Sequence, residues 1–291
     1  MQHGALERLL VAGARALSRA GVAPARPEAE RLWEGASGVS RLRQHAGLAP
    51  PPEPSVVRRF RARVRRRALG TPLAYVEGWT EFHGRRFAVD ERVLIPRADS
   101  ECLVDAALGM LPAAARGLVI DLGTGSGCLL LSILAARPGL RGLGIDRSDG
   151  ALRVARANAR ALGISGRCDW LRGDWLASLR GAAAALVVAN PPYVAPGESL
   201  GPGVAEHEPA LALFTPAAAP LAAYWAILAR LSGNLAGAGG LIFEVGAGRA
   251  QQVAELCGGA GLAVEAVKDD LCGIARAVCA RPLRSGSTPC A

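Results

Sequence analysis

Apolar residues after position 115 form short continuous runs that glycines or polar residues separate from one another. Runs of this length between turn residues are typical of buried strands. The strands predicted in this way are residues 118–121, 142–145, 167–172, 182–189, 262–267 and 274–280, and helical segments are predicted at residues 128–136 and 151–162. Strands that alternate with helices predict an α/β fold with a largely parallel sheet.

The first part of the chain has a different pattern. Helical segments over residues 6–20, 27–35 and 55–69, separated by glycine and proline, predict a small helical bundle, with a linker at prolines 50–52. Short β-type stretches around Gly84 predict a hairpin between residues 72 and 97. We therefore predict a helical domain over 1–72, a β-hairpin linker over 73–96, an α/β domain over 97–285 and a flexible tail over 286–291.

The first predicted strand of the α/β domain runs into a glycine-rich loop and then into a helix. Asp121 is followed by a loop that contains Gly123, Thr124, Gly125, Ser126 and Gly127. Alternate glycines permit a tight turn and close approach of a ligand, and a helix N-terminus offers free N–H groups. A glycine loop can also bind NAD, but the dinucleotide pattern is G-x-G-x-x-G. The G-x-G-x-G spacing beside an acid favours a cationic ligand without phosphate.

Carboxylates follow the next two predicted strands. Asp146 is placed to accept hydrogen bonds from a ribose diol, and Asp174 from an adenine amino group. Trp175 offers an indole to pack on the adenine face. Taken singly, such residues are more often caps, turn residues or core residues. Together, at successive strand ends, they predict a site for S-adenosylmethionine.

The sharpest chemical signal is the sequence Asn190, Pro191, Pro192, Tyr193 at the end of the predicted strand 182–189. Ligands of open α/β sheets lie outside the carboxyl ends of the strands. The Asn190 side-chain carbonyl and the Pro191 backbone carbonyl are placed to accept both hydrogens of a planar NH₂ group, which turns its lone pair toward an electrophile. Tyr193 is then placed to stack on the flat group. For an isolated motif, a proline-rich turn is the alternative.

A set of short segments carries a resemblance to a known family. They are PLAYVEGWTEFHGRRFAV (72–89), LIPRADSE (94–101), DLGTGSG (121–127), GID (144–146), GDW (173–175), NPPYV (190–194), EHEPALALF (206–214), LIFEVG (241–246) and DDLCGIARAV (269–278). Through them, residues 71–281 resemble the release factor glutamine methyltransferases, the HemK/PrmC family of protein-(glutamine-N5) methyltransferases. The glycine loop and NPPY occur in many methyltransferases, whereas LIPR-x-D-x-E and EPALAL narrow the choice.

The resemblance implies a Rossmann-like, seven-stranded mixed sheet as the methyltransferase domain, preceded by a helical bundle that helps grip a release factor. It implies methylation, with S-adenosyl-L-methionine, of the glutamine side-chain amide nitrogen in the Gly-Gly-Gln motif of class I peptide chain release factors. With Asp174 from the residue pattern, the expected cofactor contacts are Gly123, Thr124, Gly125, Ser126, Gly127, Asp146, Asp174, Trp175 and Asn190. The expected catalytic and substrate-binding residues are Asn190, Pro191, Pro192 and Tyr193.

Catalysis in such a site is expected from in-line positioning and from desolvation of the sulfonium, because no residue is an obvious strong base. His207 is the one other candidate, and we interpret it as a loop residue facing solvent. The chain departs from the family pattern at residues 215–221, where a Gly-Gly-x-Asp-Gly-Leu run is expected. It departs again at residues 244–251, where the family's EIG segment is soon followed by a glutamine and this chain has a longer spacing, from Glu244 to Gln251. Both departures concern substrate recognition rather than the cofactor motifs.

Composition is that of a two-part enzyme: 291 residues, of which 51% are hydrophobic. No uncharged run approaches the roughly 20 residues that span a membrane, and the N-terminus lacks the apolar core of a signal peptide. We therefore expect a cytoplasmic monomer that binds no membrane. The cysteines, at positions 102, 128, 168, 257, 272, 279 and 290, form no C-x-x-C pair, and we predict neither a metal site nor a disulfide framework.

The net charge is +9, and arginines concentrate in the third predicted helix, at positions 58, 59, 61, 63, 65, 66 and 67. A basic helix is able to bind RNA, DNA or an acidic protein surface, and a solvated surface helix explains the same pattern. No aromatic-studded basic strand accompanies it, so we expect no direct nucleic-acid binding.

Three classes of function remain to be compared. A protein-glutamine methyltransferase fits the extended motif set. A nucleic-acid methyltransferase acting on an exocyclic base amine would use the same NPPY chemistry, but it needs an added recognition region for a flipped base, which the sequence lacks. A non-catalytic protein of the same fold predicts a damaged glycine loop or NPPY, whereas both are intact.

Overall fold

The computed structural model describes residues 3–198, 200–201 and 203–283, so the predicted tail over 286–291 and Cys290 lie outside the described residues. The chain divides into two compact units. The first comprises the described residues up to Trp79 together with Leu200–His207, and the second comprises the rest. The four segments derived from the sequence stay predictions. The structure has two units, and residues 72–97, which contain both a helix and a hairpin, are divided between them.

The first unit is helical, as predicted. Its helices are α1 (His3–Arg19), α2 (Ala25–Ser37), α3 (Arg41–His45), α4 (Pro54–Ala68) and α5 (Leu73–Glu77), and the short helix Val204–His207 also belongs to it. The buried residues Leu17, Leu32, Trp33 and Phe60 form its core. The Trp33 and Phe60 rings meet edge to face with centroids 5.4 Å apart, a favourable aromatic geometry.

A two-stranded hairpin follows, formed by β1 (Trp79–Phe82) and β2 (Arg85–Ala88). Its turn contains Gly84 with a φ of 67°, a conformation that glycine adopts without steric cost. The hairpin predicted around Gly84 is therefore present. Its extent was overestimated, because residues 73–77 form helix α5 rather than β structure.

The second unit contains the predicted seven-stranded mixed sheet. Its strands are β3 (Gly117–Leu122), β4 (Leu140–Asp146), β5 (Cys168–Arg172), β6 (Ala184–Ala189), β7 (Leu235–Glu244), β8 (Leu262–Asp269) and β9 (Ala275–Pro282). The order is β5-β4-β3-β6-β7-β9-β8, with β9 antiparallel to both neighbours. The strand order reverses between β3 and β6, and this switch point is where ligands bind in open α/β sheets.

Helices cover both faces of this sheet. The α-helices of this unit are α6 (Glu101–Met110), α7 (Cys128–Ala136), α8 (Asp149–Ala161), α10 (Ala210–Leu213), α11 (Ala222–Leu228) and α12 (Ala250–Gly259), and the helix Val204–His207 of the first unit is α9. Helices α6 and α7 pack with Val119 of β3, whereas α11 and α12 pack with its neighbour Ile120. Successive residues of a strand point to opposite faces, so one apolar strand supplies both cores.

None of the helices within the described ranges combines the length and the apolarity that a bilayer-spanning segment requires.

Candidate active site

A cavity of about 760 Å³ lies at the carboxyl ends of the parallel strands in the second unit. Its wall is formed by the glycine loop, the ends of β4 and β5, the turn after β6, residues 91–100 and parts of the segment 209–226. Cavities of roughly 300–1,000 Å³ hold small ligands and cofactors. The sheet therefore places the predicted strand-end residues around one space of suitable size.

The glycine loop connects β3 to α7, and backbone hydrogen bonds hold it against the end of β4. Gly123, Gly125 and Gly127 have φ values of 71°, 55° and 81°, which side chains rarely tolerate. The backbone N–H groups of Gly123 and Thr124 donate to Ile145 O at 2.9 and 3.0 Å. The loop thus curves around the cavity in a conformation that depends on its glycines.

Asp121 supports this loop from behind. The Thr124 hydroxyl donates to Asp121 Oδ2 at 2.7 Å, and Oδ1 is buried without a hydrogen-bond partner. Burial raises the pKa of the Asp121 carboxyl to about 7, and the Thr124 hydrogen bond opposes that rise. Asp121 is not part of the cavity wall. Its carboxyl group therefore shapes the loop and does not itself form the ligand surface.

Asp146, at the end of β4, lies in the cavity wall. Its Oδ2 accepts from Gly125 N at 2.9 Å and its Oδ1 from Ser148 N at 2.8 Å. Burial raises the pKa of this carboxyl, and the backbone N–H donors of Ser148 and Gly125 oppose the rise. Each oxygen retains a lone pair. Asp146 is thus held rigidly and keeps the capacity to accept hydrogen bonds from a diol.

Asp174 and Trp175, after β5, also lie in the cavity wall. The Trp175 indole covers Gly123, since a Cβ placed on that glycine would be 3.3 Å from Trp175 Cζ3. Asp174 is largely exposed, with Arg147 Nε 4.0 Å from its Oδ1. The indole and the carboxylate are therefore placed beside the glycine loop, as an adenine site requires.

The NPPY sequence follows β6 directly as an irregular segment, called the turn of residues 190–193 below. Asn190 and Pro192 lie in the cavity wall, and Asn190 Nδ2 donates to Ser100 Oγ at 3.5 Å. The Tyr193 hydroxyl donates to Glu244 Oε1 at 3.3 Å, and burial raises the pKa of this phenol. A Cβ on Gly246 would be 3.0 Å from Tyr193 Cδ2, so the ring packs on that glycine. In this structure Tyr193 thus packs on β7 and its continuation.

Most of the residues predicted for the cofactor share this one cavity. Its wall includes Gly123, Thr124, Gly125, Ser126, Asp146, Asp174, Trp175 and Asn190. Gly127, Pro191 and Tyr193 are not part of it. Their roles in the site stay predictions. His207 ends helix α9 in the first unit and is half-buried, so the prediction of a solvent-facing loop histidine was wrong.

Two further segments, to which the residue pattern assigns no role, complete the wall. Residues 91–100 and 209–216 both contribute to it. The Glu208 side chain joins these segments, accepting from Ile95 N at 3.0 Å and pairing with Arg97. Both segments were recognised only as family landmarks. No local pattern relates Arg97 to Glu208 across 111 residues of sequence.

Within the described ranges, no group of three or more histidine, cysteine or acidic side chains is arranged to hold a metal ion. Cysteines 102, 128, 168, 257, 272 and 279 are free thiols.

The donor set suits S-adenosylmethionine. Asp146 offers acceptors for a ribose, Trp175 a flat surface for adenine, and the glycine loop a close backbone approach. Apolar wall residues around Asn190 limit the access of water to a sulfonium. The residues present therefore fit this cofactor.

Comparison with known proteins agrees with this assignment. Residues 8–78 match the family model described as PrmC N-terminal domain, and residues 101–207 match the methyltransferase small domain. A release factor glutamine methyltransferase from Cereibacter sphaeroides is 39% identical over 91% of this chain and 94% of its own length. The protein of the same name from Rhodospirillum rubrum is 39% identical over 98% of this chain and 87% of its own. That from Moorella thermoacetica is 39% identical over 86% of this chain and 89% of its own.

Proposed function

The chain belongs to the release factor glutamine methyltransferase family, and we propose that it methylates the glutamine of the Gly-Gly-Gln motif in class I peptide chain release factors. It is an S-adenosylmethionine-dependent methyltransferase. The acceptor is the side-chain amide nitrogen of that glutamine. We further expect a cytoplasmic monomer that acts on the protein substrate without contacting nucleic acid directly.

S-adenosylmethionine supplies an electrophilic methyl group on a sulfonium. The glycine loop, Asp146, Asp174 and Trp175, which line the cavity, would bind and orient it there. None of these residues needs to exchange a proton for this task. Their contribution is to hold the cofactor in one orientation relative to Asn190, which converts the transfer into a positioned, in-line displacement.

The turn of residues 190–193 prepares the nucleophile. An amide nitrogen is a poor nucleophile because its lone pair is delocalised into the carbonyl group. Asn190 Oδ1 and the Pro191 carbonyl oxygen would accept the two amide hydrogens, directing the nitrogen lone pair at the methyl group. As the N–C bond forms, the bond between the methyl carbon and sulfur would break, and its electron pair would stay on sulfur, which leaves as the neutral thioether S-adenosylhomocysteine. The methylated amide nitrogen then carries an extra proton, which is acidic enough to leave to solvent without a strong base.

The observation that carries this proposal is the hydrogen bond from Asn190 Nδ2 to Ser100 Oγ at 3.5 Å. It turns the NH₂ end of the Asn190 side chain toward Ser100. The carbonyl end, Oδ1, is then the end available to a substrate, and a carbonyl accepts from an incoming NH₂ group. A reversed side chain would present one donor to another, which would be repulsive.

The test is transfer of a labelled methyl group from S-adenosylmethionine to a purified release factor from the same organism. A Gln→Ala copy of its Gly-Gly-Gln motif is the control substrate, and nucleic acid is offered in a parallel reaction. We expect label on the first substrate and none on the second. Label on nucleic acid alone would show instead that the turn serves an exocyclic base amine.

A further inference from the structure

We propose that Glu244 is a positioning residue for the turn of residues 190–193, acting on Asn190 through the Ser100 hydroxyl and on Tyr193 directly. The four side chains of Asn190, Ser100, Glu244 and Tyr193 are called the Glu244 network below. This inference rests on the proposed function, because it assigns a role within the same reaction. Glu244 does not contact the cavity itself.

Strand register places Glu244 beside the turn. Strands β6 and β7 are parallel, and Ala189 pairs with Phe243. The next residue on each strand is therefore Asn190 on one and Glu244 on the other. Glu244 is only 1% exposed, so its carboxyl group lies inside the protein next to the start of the turn.

One contact of Glu244 fixes the end of the turn. The Tyr193 hydroxyl donates to Glu244 Oε1 at 3.3 Å. The Tyr193 ring lies against Gly246, where even a methyl group would approach Cδ2 to 3.0 Å. Any larger residue at position 246 would push the ring away from Glu244. The hydrogen bond of the hydroxyl and the packing of the ring together hold Tyr193 in one place. The fixed φ angles of Pro191 and Pro192 restrict the backbone between Tyr193 and Asn190, so the position of Tyr193 constrains that of Asn190.

A second contact orients the start of the turn. Ser100 is 3% exposed, and its hydroxyl lies close enough to the Glu244 carboxyl to lower the pKa of that group. A hydroxyl has one hydrogen to donate. When it donates to Glu244, its lone pairs face Asn190 Nδ2, which donates to Ser100 Oγ at 3.5 Å. Glu244 thereby selects the Asn190 orientation that leaves Oδ1 for the substrate amide.

The surroundings of Glu244 are poorly suited to a carboxyl group that served stability alone. Oε2 is buried without a hydrogen-bond partner, and burial raises the pKa of Glu244 to about 7. The charged and titratable groups that face it include Arg276, Asp99, Tyr193, Tyr224, Cys102 and Cys128. The Tyr224 hydroxyl donates to the Glu244 backbone oxygen at 2.9 Å. Groups left under-satisfied in this way cluster at functional sites.

Two substitutions at position 244 separate positioning from structure. Glu244→Leu removes both acceptors at similar volume, and replacing an under-satisfied buried carboxyl with an apolar side chain costs little stability. We expect kcat to fall on the order of 100-fold, because a displaced reactive group costs about that much. Glu244→Gln keeps an acceptor oxygen and should restore most of the loss. The KM for the release factor and the Kd for S-adenosylmethionine should change less than about threefold in both variants.

A double-substitution cycle tests the path through Ser100. Ser100→Ala should lower kcat, and Ser100→Ala combined with Glu244→Leu should lose less than the product of the two single effects, because both act on Asn190. Glu265→Gln is the matched control: Glu265 lies on strand β8 at the edge of the same sheet with an exposed side chain, and this variant should behave as wild type.

A Glu244→Leu protein with wild-type kcat overturns the proposal, and so do multiplicative losses in the cycle. If the fall in kcat in Glu244→Leu is accompanied by a large fall in Tm and a comparable loss of cofactor affinity, Glu244 has a structural role, and this result also overturns the proposal.

A readout without turnover separates this proposal from the proposed function. The Asn190 side-chain NH₂ resonances are identified in an ¹⁵N spectrum by their loss in Asn190→Ala. They should shift in Ser100→Ala and Glu244→Leu and stay in place in Glu265→Gln. Unchanged resonances overturn the network even if the release factor is methylated. Shifted resonances in a protein that does not methylate a release factor would support the network and reject only the substrate.

Discussion

Two buried carboxyl groups support the two working parts of the cavity. Asp121 lies behind the glycine loop and Glu244 behind the turn of residues 190–193, and each is 1% exposed. Burial raises the pKa of each to about 7, each accepts a hydrogen bond from a hydroxyl, and each retains one buried oxygen without a partner. The part proposed to bind the cofactor and the part proposed to present the amide thus share one kind of support.

The glycine loop and the turn differ in the sequence separation between each part and the residues that support it. The Thr124 hydroxyl reaches Asp121 across three residues of sequence. The contact from Tyr193 to Glu244 spans 51 residues, and that from Asn190 to Ser100 spans 90. The hydroxyl that supports the glycine loop therefore comes from the loop itself, and its backbone is held by the adjacent strand β4, whereas the turn depends on segments farther along the chain. This difference predicts that the two parts fail separately when they are altered.

The strongest separation is expected from Asn190→Ala. Loss of the carbonyl acceptor should lower kcat on the order of 1,000-fold, as for other preorganised groups that contact the reacting atoms. The Kd for S-adenosylmethionine, measured by calorimetry, should stay within about threefold because the glycine loop and Asp146 are untouched. Wild-type turnover would remove Asn190 from the mechanism.

The reverse pattern is expected from Asp146→Ala. This change leaves Gly125 N and Ser148 N without their acceptor and removes the acceptors for a ribose. Cofactor binding should weaken by about 1–3 kcal/mol, with a smaller effect on kcat at saturating cofactor. Asp169→Ala, at an exposed position on β5, is the control and should bind normally. Unchanged calorimetric affinity in Asp146→Ala would contradict the assignment.

A smaller effect, on stability, is expected from pH. The pKa values of Asp121 and Glu244 rise on folding from 3.8 and 4.5 to about 7. Because the folded state holds these protons more tightly, their contribution to stability is fully present below pH 4 and is lost as the pH rises toward 7. Each group should contribute a slope of about 1.4 kcal/mol per pH unit at most within that window.

The two carboxyl groups can be compared through their amide variants. Asp121→Asn and Glu244→Gln do not ionise, so the free energy of unfolding of each should fall less than that of wild type between pH 5 and pH 8. Denaturant titrations of the apo proteins at several pH values measure this difference. Parallel profiles for the variants and wild type would show that neither group holds its proton as described.

The smallest effect is expected from Tyr193→Phe. The ring still packs on Gly246, and only the hydrogen bond to Glu244 is lost, worth about 0.5–1.5 kcal/mol. The kcat should fall several-fold with cofactor affinity unchanged. A loss as large as that of Asn190→Ala would mean that Tyr193 itself contacts the substrate, as the sequence argument had expected.

The sequence separation of the contacts also explains which features could be predicted from the sequence. Six of the seven strands, the glycine loop and Asp146 followed from runs of apolar residues and from residues next to them in sequence, whereas β7 was not predicted from its residues. Their structure is local, so periodicity and strand-end position suffice.

The support of the turn could not be predicted in this way. Ser100, Glu208 and Glu244 meet their partners only after the sheet has brought distant segments together, and no local pattern distinguishes them from ordinary polar residues. Tyr193 is a residue whose role was predicted from its neighbours in sequence but whose contacts come from distant residues. Its position after Asn190 suggested a stacking surface, whereas the contacts that place its ring come from β7 and Gly246.

The central claim is that the glycine loop holds the cofactor while the turn holds the glutamine amide. A crystal structure with S-adenosylhomocysteine and a Gly-Gly-Gln peptide tests it most directly. We expect the glutamine amide nitrogen within hydrogen-bond distance of both Asn190 Oδ1 and Pro191 O, and facing the sulfur. A glutamine bound away from residues 190–193, or an Asn190 turned to donate to it, would contradict the account.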